Sequence, residues 1–448
     1  MNTRPFKTLF SRLSRQVLNL VGLPAQVKLR AALLAALGPL LLGGAAAADD
    51  SFIADAKAGA QLRSLYFDRT LPASRQESWA AGGWLWGRTG YWRDFLAFGG
   101  TLYASLPLYA PEDRDGTLSL KPGQDGYGVL GEAYAKLKMS DQTLTLYRQA
   151  IGANPQKAEG VRGIQTDMNY LGSRDIRMTP LTYEAAMLGG PISESLRYQG
   201  GYVSKVKDVN ADTFVSMSRL AGVSSKDTGM WTGGLQWTPQ KDAWVQGSYY
   251  SVEDTIRIAY VDADWVTRRS RDSYYRVAGQ YTDQRSDGAN LLLGRAFNTW
   301  NAGLYGEYGW NWFKAYGALG RTGEGEQIRN LYSFGPFYIS QRIKTFSRAG
   351  EDAALLGTTF DLAAAGLPGF SFDFNLADGR HAIDPVSLAA LPKWREYDTD
   401  FIYRFAKDSA VPGMRLRFRW ARVFEDFGTR VDRTNDLRFD VNWTVNFN

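Results

Sequence analysis

The chain has 448 residues, with 47 glycines, 24 tyrosines, 14 tryptophans, no cysteine and the single histidine His381. Those counts exclude a disulfide framework, a thiolate metal centre and a cysteine nucleophile, and leave almost nothing for a metal cluster or a Ser-His-Asp triad. The formal charge of +6 is no sign of nucleic-acid binding, because Arg4, Lys7, Arg12, Arg15, Lys28 and Arg30 supply all of it and the rest of the chain balances 46 basic against 46 acidic residues.

Residues 1–48 read as an export signal: a basic lead, an apolar Ala31–Leu42 segment, then Gly43-Gly44-Ala45-Ala46-Ala47-Ala48. Ala46 and Ala48 meet the small-x-small requirement for cleavage before Asp49. An uncleaved anchor helix is the alternative, but the apolar core is short for one. No helix-length apolar run follows, which excludes helical membrane spans.

Residues 49–448 form the second unit, and segment after segment of it alternates. Ala133, Ala135, Leu137 and Met139 oppose Tyr134, Lys136 and Lys138; Tyr275, Val277, Gly279 and Tyr281 oppose Arg276, Ala278 and Gln280. Phe370, Phe372, Phe374 and Leu376 oppose Ser371, Asp373 and Asn375; Phe401, Tyr403 and Phe405 oppose Asp400, Ile402 and Arg404. Turn clusters such as Asp287-Gly288, Gly323-Glu324-Gly325 and Leu367-Pro368-Gly369 separate such runs. Gly152 to Pro191 breaks the rhythm. A connection that long without periodicity is functional or disordered, and inside a wide barrel it would fold into the lumen and narrow it.

The pattern is sharpest at the C-terminus. Leu416, Phe418 and Trp420 share one face of a strand, Arg415, Arg417 and Arg419 the other; Leu437 to Phe447 alternates in the same way against Arg438 to Asn448. Guanidiniums two residues apart on a strand stand about 6.6 to 6.8 Å apart, so this is a row of positive charge that needs water or counter-charge before it. A soluble antiparallel sheet and a transmembrane barrel both explain one such face pair. Repeated strands of about ten residues, an export signal and an aromatic-rich composition favour the barrel.

Four stretches resemble the OprD-type substrate-specific porins of Gram-negative outer membranes. They are Ser51-Phe52-Ile53-Ala54-Asp55 with Leu62 to Arg69; Asp175 to Glu184, similar to that family's long third loop; Phe360-Asp361-Leu362 with Gly366 to Phe370; and Trp394, Asp398, Asp400, Tyr403, Arg417, Arg419 and the Leu437-Arg438 strand. The resemblance implies an all-β fold, a transmembrane antiparallel barrel of 18 strands, with 152–191 as an inward-folded constriction loop. It implies a lumenal ladder of arginine and lysine guiding small carboxylate-bearing solutes such as amino acids or aromatic acids. Arg417, Arg419 and Arg438 match ladder positions, with Arg63 and Arg148 as further rungs and Arg415 as an addition; Asp175, Arg177 and Tyr183 fall in the constriction loop. The expected partners are those solutes, outer-membrane lipid and lipopolysaccharide, and the barrel-assembly machinery. The expected state is a monomer or loose trimer, with no cofactor, metal, catalytic residue or nucleic acid. Departures are Thr359, Asn375 and Ile402, which stand where the family often has basic residues, and the ending Phe447-Asn448, where the aromatic residue comes one place early. A pore for neutral solutes or saccharides is the rival reading within the class; a β-rich secreted carbohydrate-binding protein is the rival outside it.

Overall fold

The computed structural model describes residues 50–152, 170–333 and 337–447, and the export signal lies outside the described residues. A short helix, α1 (Asp50–Ala54), leads into β1 (Lys57–Thr70), β2 (Arg75–Arg88), β3 (Leu96–Tyr109), β4 (Tyr127–Met139), β5 (Gln142–Gln149), β6 (Thr182–Pro191), β7 (Leu196–Lys207) and the two-residue β8 (Val215–Ser216). After the single-turn α2 (Met217–Leu220) come β9 (Met230–Gln240), β10 (Ala243–Val252), β11 (Ile256–Arg268), β12 (Ser273–Ser286), β13 (Asn298–Trp310) and β14 (Phe313–Thr322). The chain closes with β15 (Asp352–Asp361), β16 (Phe370–Arg380), β17 (Lys393–Arg404), β18 (Met414–Asp426) and β19 (Val431–Phe447). Apart from β8, which a direct β7–β9 ladder bypasses, each strand pairs antiparallel with its chain neighbours, and β1 pairs with β19. Eighteen strands therefore make a closed wall with no free edge.

The two faces of that wall settle the environment. Trp231 (67 %), Leu319 (62 %) and Leu356 (64 %) stand exposed on the outside, while Glu396, Asp398 and Asp400 of β17 and Asp436, Arg438 and Asp440 of β19 are buried inside. Apolar rings turned out and charges turned in is the inverse of a soluble core; it suits lipid outside and a polar lumen within. Phe418 is exposed outward, and Arg417 and Arg419 face inward to acids, as the alternation predicts. Connections at one end are short, among them two-residue turns at 140–141, 241–242 and 311–312 and none longer than the nine residues 405–413; long loops at 110–126, 150–181, 208–229 and 323–351 gather at the other.

Two departures from the sequence reading concern the β5–β6 connection and Arg148. The non-periodic stretch does not run to Pro191: Thr182–Pro191 is β6, whose Gly189-Gly190-Pro191 end hides its alternation. Tyr183 is therefore a wall residue, fully buried, whose hydroxyl donates to the Tyr332 carbonyl at 2.8 Å. Arg148, expected as a ladder rung, fills a seam. Short β5 covers only Ala133–Met139 of β4, so the loop end of β4 has no ladder on that side among the described residues. Arg148 closes the gap, donating to the Leu130 carbonyl at 3.0 Å and to Glu184 at 3.0 Å, with its guanidinium 4.2 Å from the centre of the Phe214 ring.

One glycine shapes the lumen directly. A Cβ at Gly357 would meet the Tyr316 ring at 2.3 Å. Its absence lets that ring cross so that its hydroxyl donates to Asn375 at 2.5 Å. Asn375 thus serves as an acceptor, and Thr359 likewise donates to Asp373; neither position supplies a rung.

Candidate functional site

Two loops, not one, cross the lumen. The described end of the β5–β6 loop starts at Tyr170, whose hydroxyl pairs with Thr282 at 3.0 Å and whose ring meets Tyr250, Tyr260 and Phe337 edge-on. By Met178 the loop has reached the far side, where that side chain packs with Leu65, Ala80 and Leu120. Between those anchors Asp175 accepts a bidentate pair from Arg63 of β1, one bond at 2.6 Å. Arg63 also donates to the Arg177 carbonyl, and its Nε to Asn442 at 2.6 Å.

The β14–β15 loop is the second crossing, and sequence reading did not single it out. It lies against the acidic row of β17: the backbone N–H groups of Ile343 and Lys344 donate to the two oxygens of Glu396 at 2.7 and 2.8 Å, and that of Arg342 to Asp398 at 3.2 Å. The Arg342 side chain bonds Asp400 at 2.5 Å. Lys344 and Arg348 both sit over the Trp394 ring, at 4.3 and 3.5 Å from its centre, and Lys344 pairs with Glu425 at 2.7 Å. Carboxylates that accept backbone N–H groups make charge-assisted bonds, so three acids two residues apart on one strand act as a clip. The signal for this loop was in the sequence: 323–351 has neither alternation nor helical period.

The expected ladder residues, other than Arg148, converge on the wall between the loops. Arg415 and Arg419 of β18 both reach Asp440 of β19, at 3.3 and 3.5 Å, and Arg417 shares Asp400 with Arg342. Arg438 donates twice to Asp436, at 2.7 and 2.9 Å, and Arg69 joins the same carboxylate at 2.8 Å. The side chains of Arg415, Arg417 and Arg419 keep 16, 22 and 18 % of their surface open to the lumen, against 7 % for Arg63 and 4 % for Arg438. The β18 row thus keeps more of its surface open to the lumen than Arg63 and Arg438 do. Ile402, the third departure from the family pattern, is buried beside this row.

Arg177 differs from its neighbours. Its Nε donates to the Thr117 carbonyl at 3.0 Å and its guanidinium lies 5.5 Å from the Phe67 ring, which Arg69 and Arg438 also approach. No acid pairs with it among the described residues. Burial, with Arg438 and Arg69 close by, pushes Arg177 well below the usual guanidinium range. Burial also works against the charge of Arg342, but Asp400, Asp398 and Asp436 outweigh it and push its pKa up. The loop from β5 therefore carries a guanidinium without a paired acid among the described residues, and the loop from β14 one paired with Asp400.

His381 pairs with Asp352 at 2.9 Å and is well exposed near the loop end. Among the described residues no group of three or more His, Asp and Glu side chains is placed to hold a metal.

Comparison with known proteins agrees with this geometry. A family model described as outer membrane porin, OprD family, matches residues 50–447. The structure is similar to that of Pseudomonas aeruginosa OccK9 (OpdG), with 21% identity and a TM-score of 0.76 over 89% of this chain and 100% of that one. It is similar to P. aeruginosa OpdK, solved with vanillate, at 18% identity and TM-score 0.76 over 88% and 100% of the two chains. A BenF-like porin from Pseudomonas fluorescens Pf-5 gives 16% identity and TM-score 0.76 over the same shares. No curated protein matches the sequence.

Proposed function

We propose, from the premise that the chain belongs to the OprD family of outer membrane porins, that its lumen selects small solutes bearing a carboxylate. The protein is an outer-membrane channel and not an enzyme; the finer reading concerns what it prefers to pass. One observation carries it: four guanidiniums, from Arg342, Arg415, Arg417 and Arg419, gather on one wall, where Asp400 and Asp440 each pair with two of them. The Nε atoms of Arg417 and Arg419 are buried without a hydrogen-bond partner among the described residues. A carboxylate entering between the loops meets surplus positive charge and unfilled donors in a fork that matches its geometry.

The same wall explains why a solute leaves. Each guanidinium already holds an acid, so an incoming anion competes with a resident one. Weak sites in series allow flux where one tight site would trap its cargo. Arg177 adds a further guanidinium on the β5–β6 loop, with no acid paired to it among the described residues. The aromatic carboxylate in the OpdK structure, vanillate, belongs to the chemical class proposed for this channel. Residues 1–48 deliver the chain as a cleaved export leader.

Proteoliposome uptake of benzoate against benzamide tests the reading. The wild type favours benzoate, and Arg417→Gln with Arg419→Gln abolishes most of that preference while leaving benzamide uptake intact. Equal passage of the two solutes through the wild type overturns it in favour of a neutral-solute pore.

A further inference from the structure

The wall across from the arginine row holds a second polar surface that the carboxylate reading does not use. β9 lies nine strands from β18 in either direction round the barrel. There, on the inner faces of β4 to β10, lies a cavity of about 450 Å³. Its polar lining is mostly uncharged: Thr143, Thr145, Gln199, Gln236 and Gln246, with the Tyr134 ring beside them. Its charges cancel, Lys136 and Arg197 against Glu132 and Asp141.

Gln246 is the anomaly. Only 2 % of it is exposed, yet both its amide nitrogen and its amide oxygen are buried without a hydrogen-bond partner among the described residues. Leaving a buried donor and acceptor unmet is costly, and native proteins rarely accept that without a use for the group. Its cross-strand partner is Gln236, so two amides stand side by side. The floor is kept open by Gly189 and Gly234: a Cβ at either would come within 3.1 Å of a backbone oxygen.

We propose that this cavity is a second solute subsite, selective for the hydroxyl groups of uncharged polyols and saccharides. A hydroxyl both donates and accepts and rotates to suit its partner, so it can satisfy the amide nitrogen and oxygen of Gln246 together. A carboxylate cannot donate to the amide oxygen and meets no net positive charge here. The channel thus has two walls of different chemistry, one for anionic groups and one for hydroxyls.

Single-channel recording in planar bilayers tests this, with ribitol as the polyol probe and triethylene glycol as a control of similar size with fewer donors. Ribitol is expected to produce concentration-dependent current blocks in the wild type, and triethylene glycol only a smooth fall in conductance. Gln246→Leu and, separately, Gln199→Leu weaken ribitol block about fivefold or more, as expected for the loss of one or two net hydrogen bonds. Should Gln246→Leu fail to assemble, the less buried Gln199→Leu decides. The Arg417→Gln, Arg419→Gln pair leaves ribitol block unchanged, so this subsite and the carboxylate reading fail separately. Ribitol that behaves like triethylene glycol in the wild type, or wild-type block in an assembled leucine variant, overturns the proposal.

Discussion

Asp400→Asn is the sharpest probe of the charge balance in the lumen. Asp400 is the carboxylate that Arg417 of the wall and Arg342 of the β14–β15 loop share. The amide keeps the shape and one acceptor but removes one negative charge from beside Arg342 and Arg417. An ion passing about 6 Å away in water feels that change as ~0.7 kcal/mol, falling to ~0.4 kcal/mol with screening at 0.1 M salt. The shift favours an anion and opposes a cation by the same amount, so the permeability ratio of chloride to potassium rises by about fourfold, one factor of ten being worth 1.4 kcal/mol. The assay is the reversal potential across a bilayer under a tenfold KCl gradient. A reversal potential that does not move, or moves toward cation selectivity, refutes the claim that Asp400 tempers the arginine row. A rise in conductance beside the shift in selectivity means that Arg342 has also let go of the wall.

Two further changes address the scaffold. Glu396→Gln weakens the clip on the β14–β15 loop, because only one amide oxygen remains for the N–H groups of Ile343 and Lys344; the loss is about 1–2 kcal/mol, and open-channel current noise increases. Arg148→Ala opens the seam between β4 and β6. Glu184 then keeps only Lys205, at 3.6 Å, so the expected cost is about 1–2 kcal/mol and the heat-induced mobility shift in a detergent gel moves down by a few degrees.

The barrel was legible because lipid and lumen impose period-two alternation on every strand. Where the faces are pure, as in Leu437 to Phe447, the reading matches the structure residue by residue. It failed where glycines dilute the pattern: Gly189-Gly190-Pro191 made the end of β6 look like loop. The candidate site was legible in part. Arg415, Arg417 and Arg419 belong to one strand and announce themselves, but pairing across strands is not written in any single segment. Nothing local says that Asp400 serves Arg342, 58 residues away, or that Arg148 turns to the wall instead of the lumen. Arg148 follows Tyr147, whose φ of 77° bends the strand at that point, and side-chain period alone cannot register such a twist. The β14–β15 loop escaped notice because it carries no family-like motif, although its lack of alternation matches that of the β5–β6 loop.

One stave of this cylinder is short, and that decides where it gives way first. Beyond β5 the joint between β4 and β6 is a weld of side chains, whereas the planks bearing the arginines are fastened by thirteen consecutive backbone partners on each side of β19. Breathing of the bilayer concentrates at the weld, so deuterium enters the amides of Tyr127–Glu132 first. The filter is built on the stiffest timber of the barrel, and the hull can flex without changing what it admits.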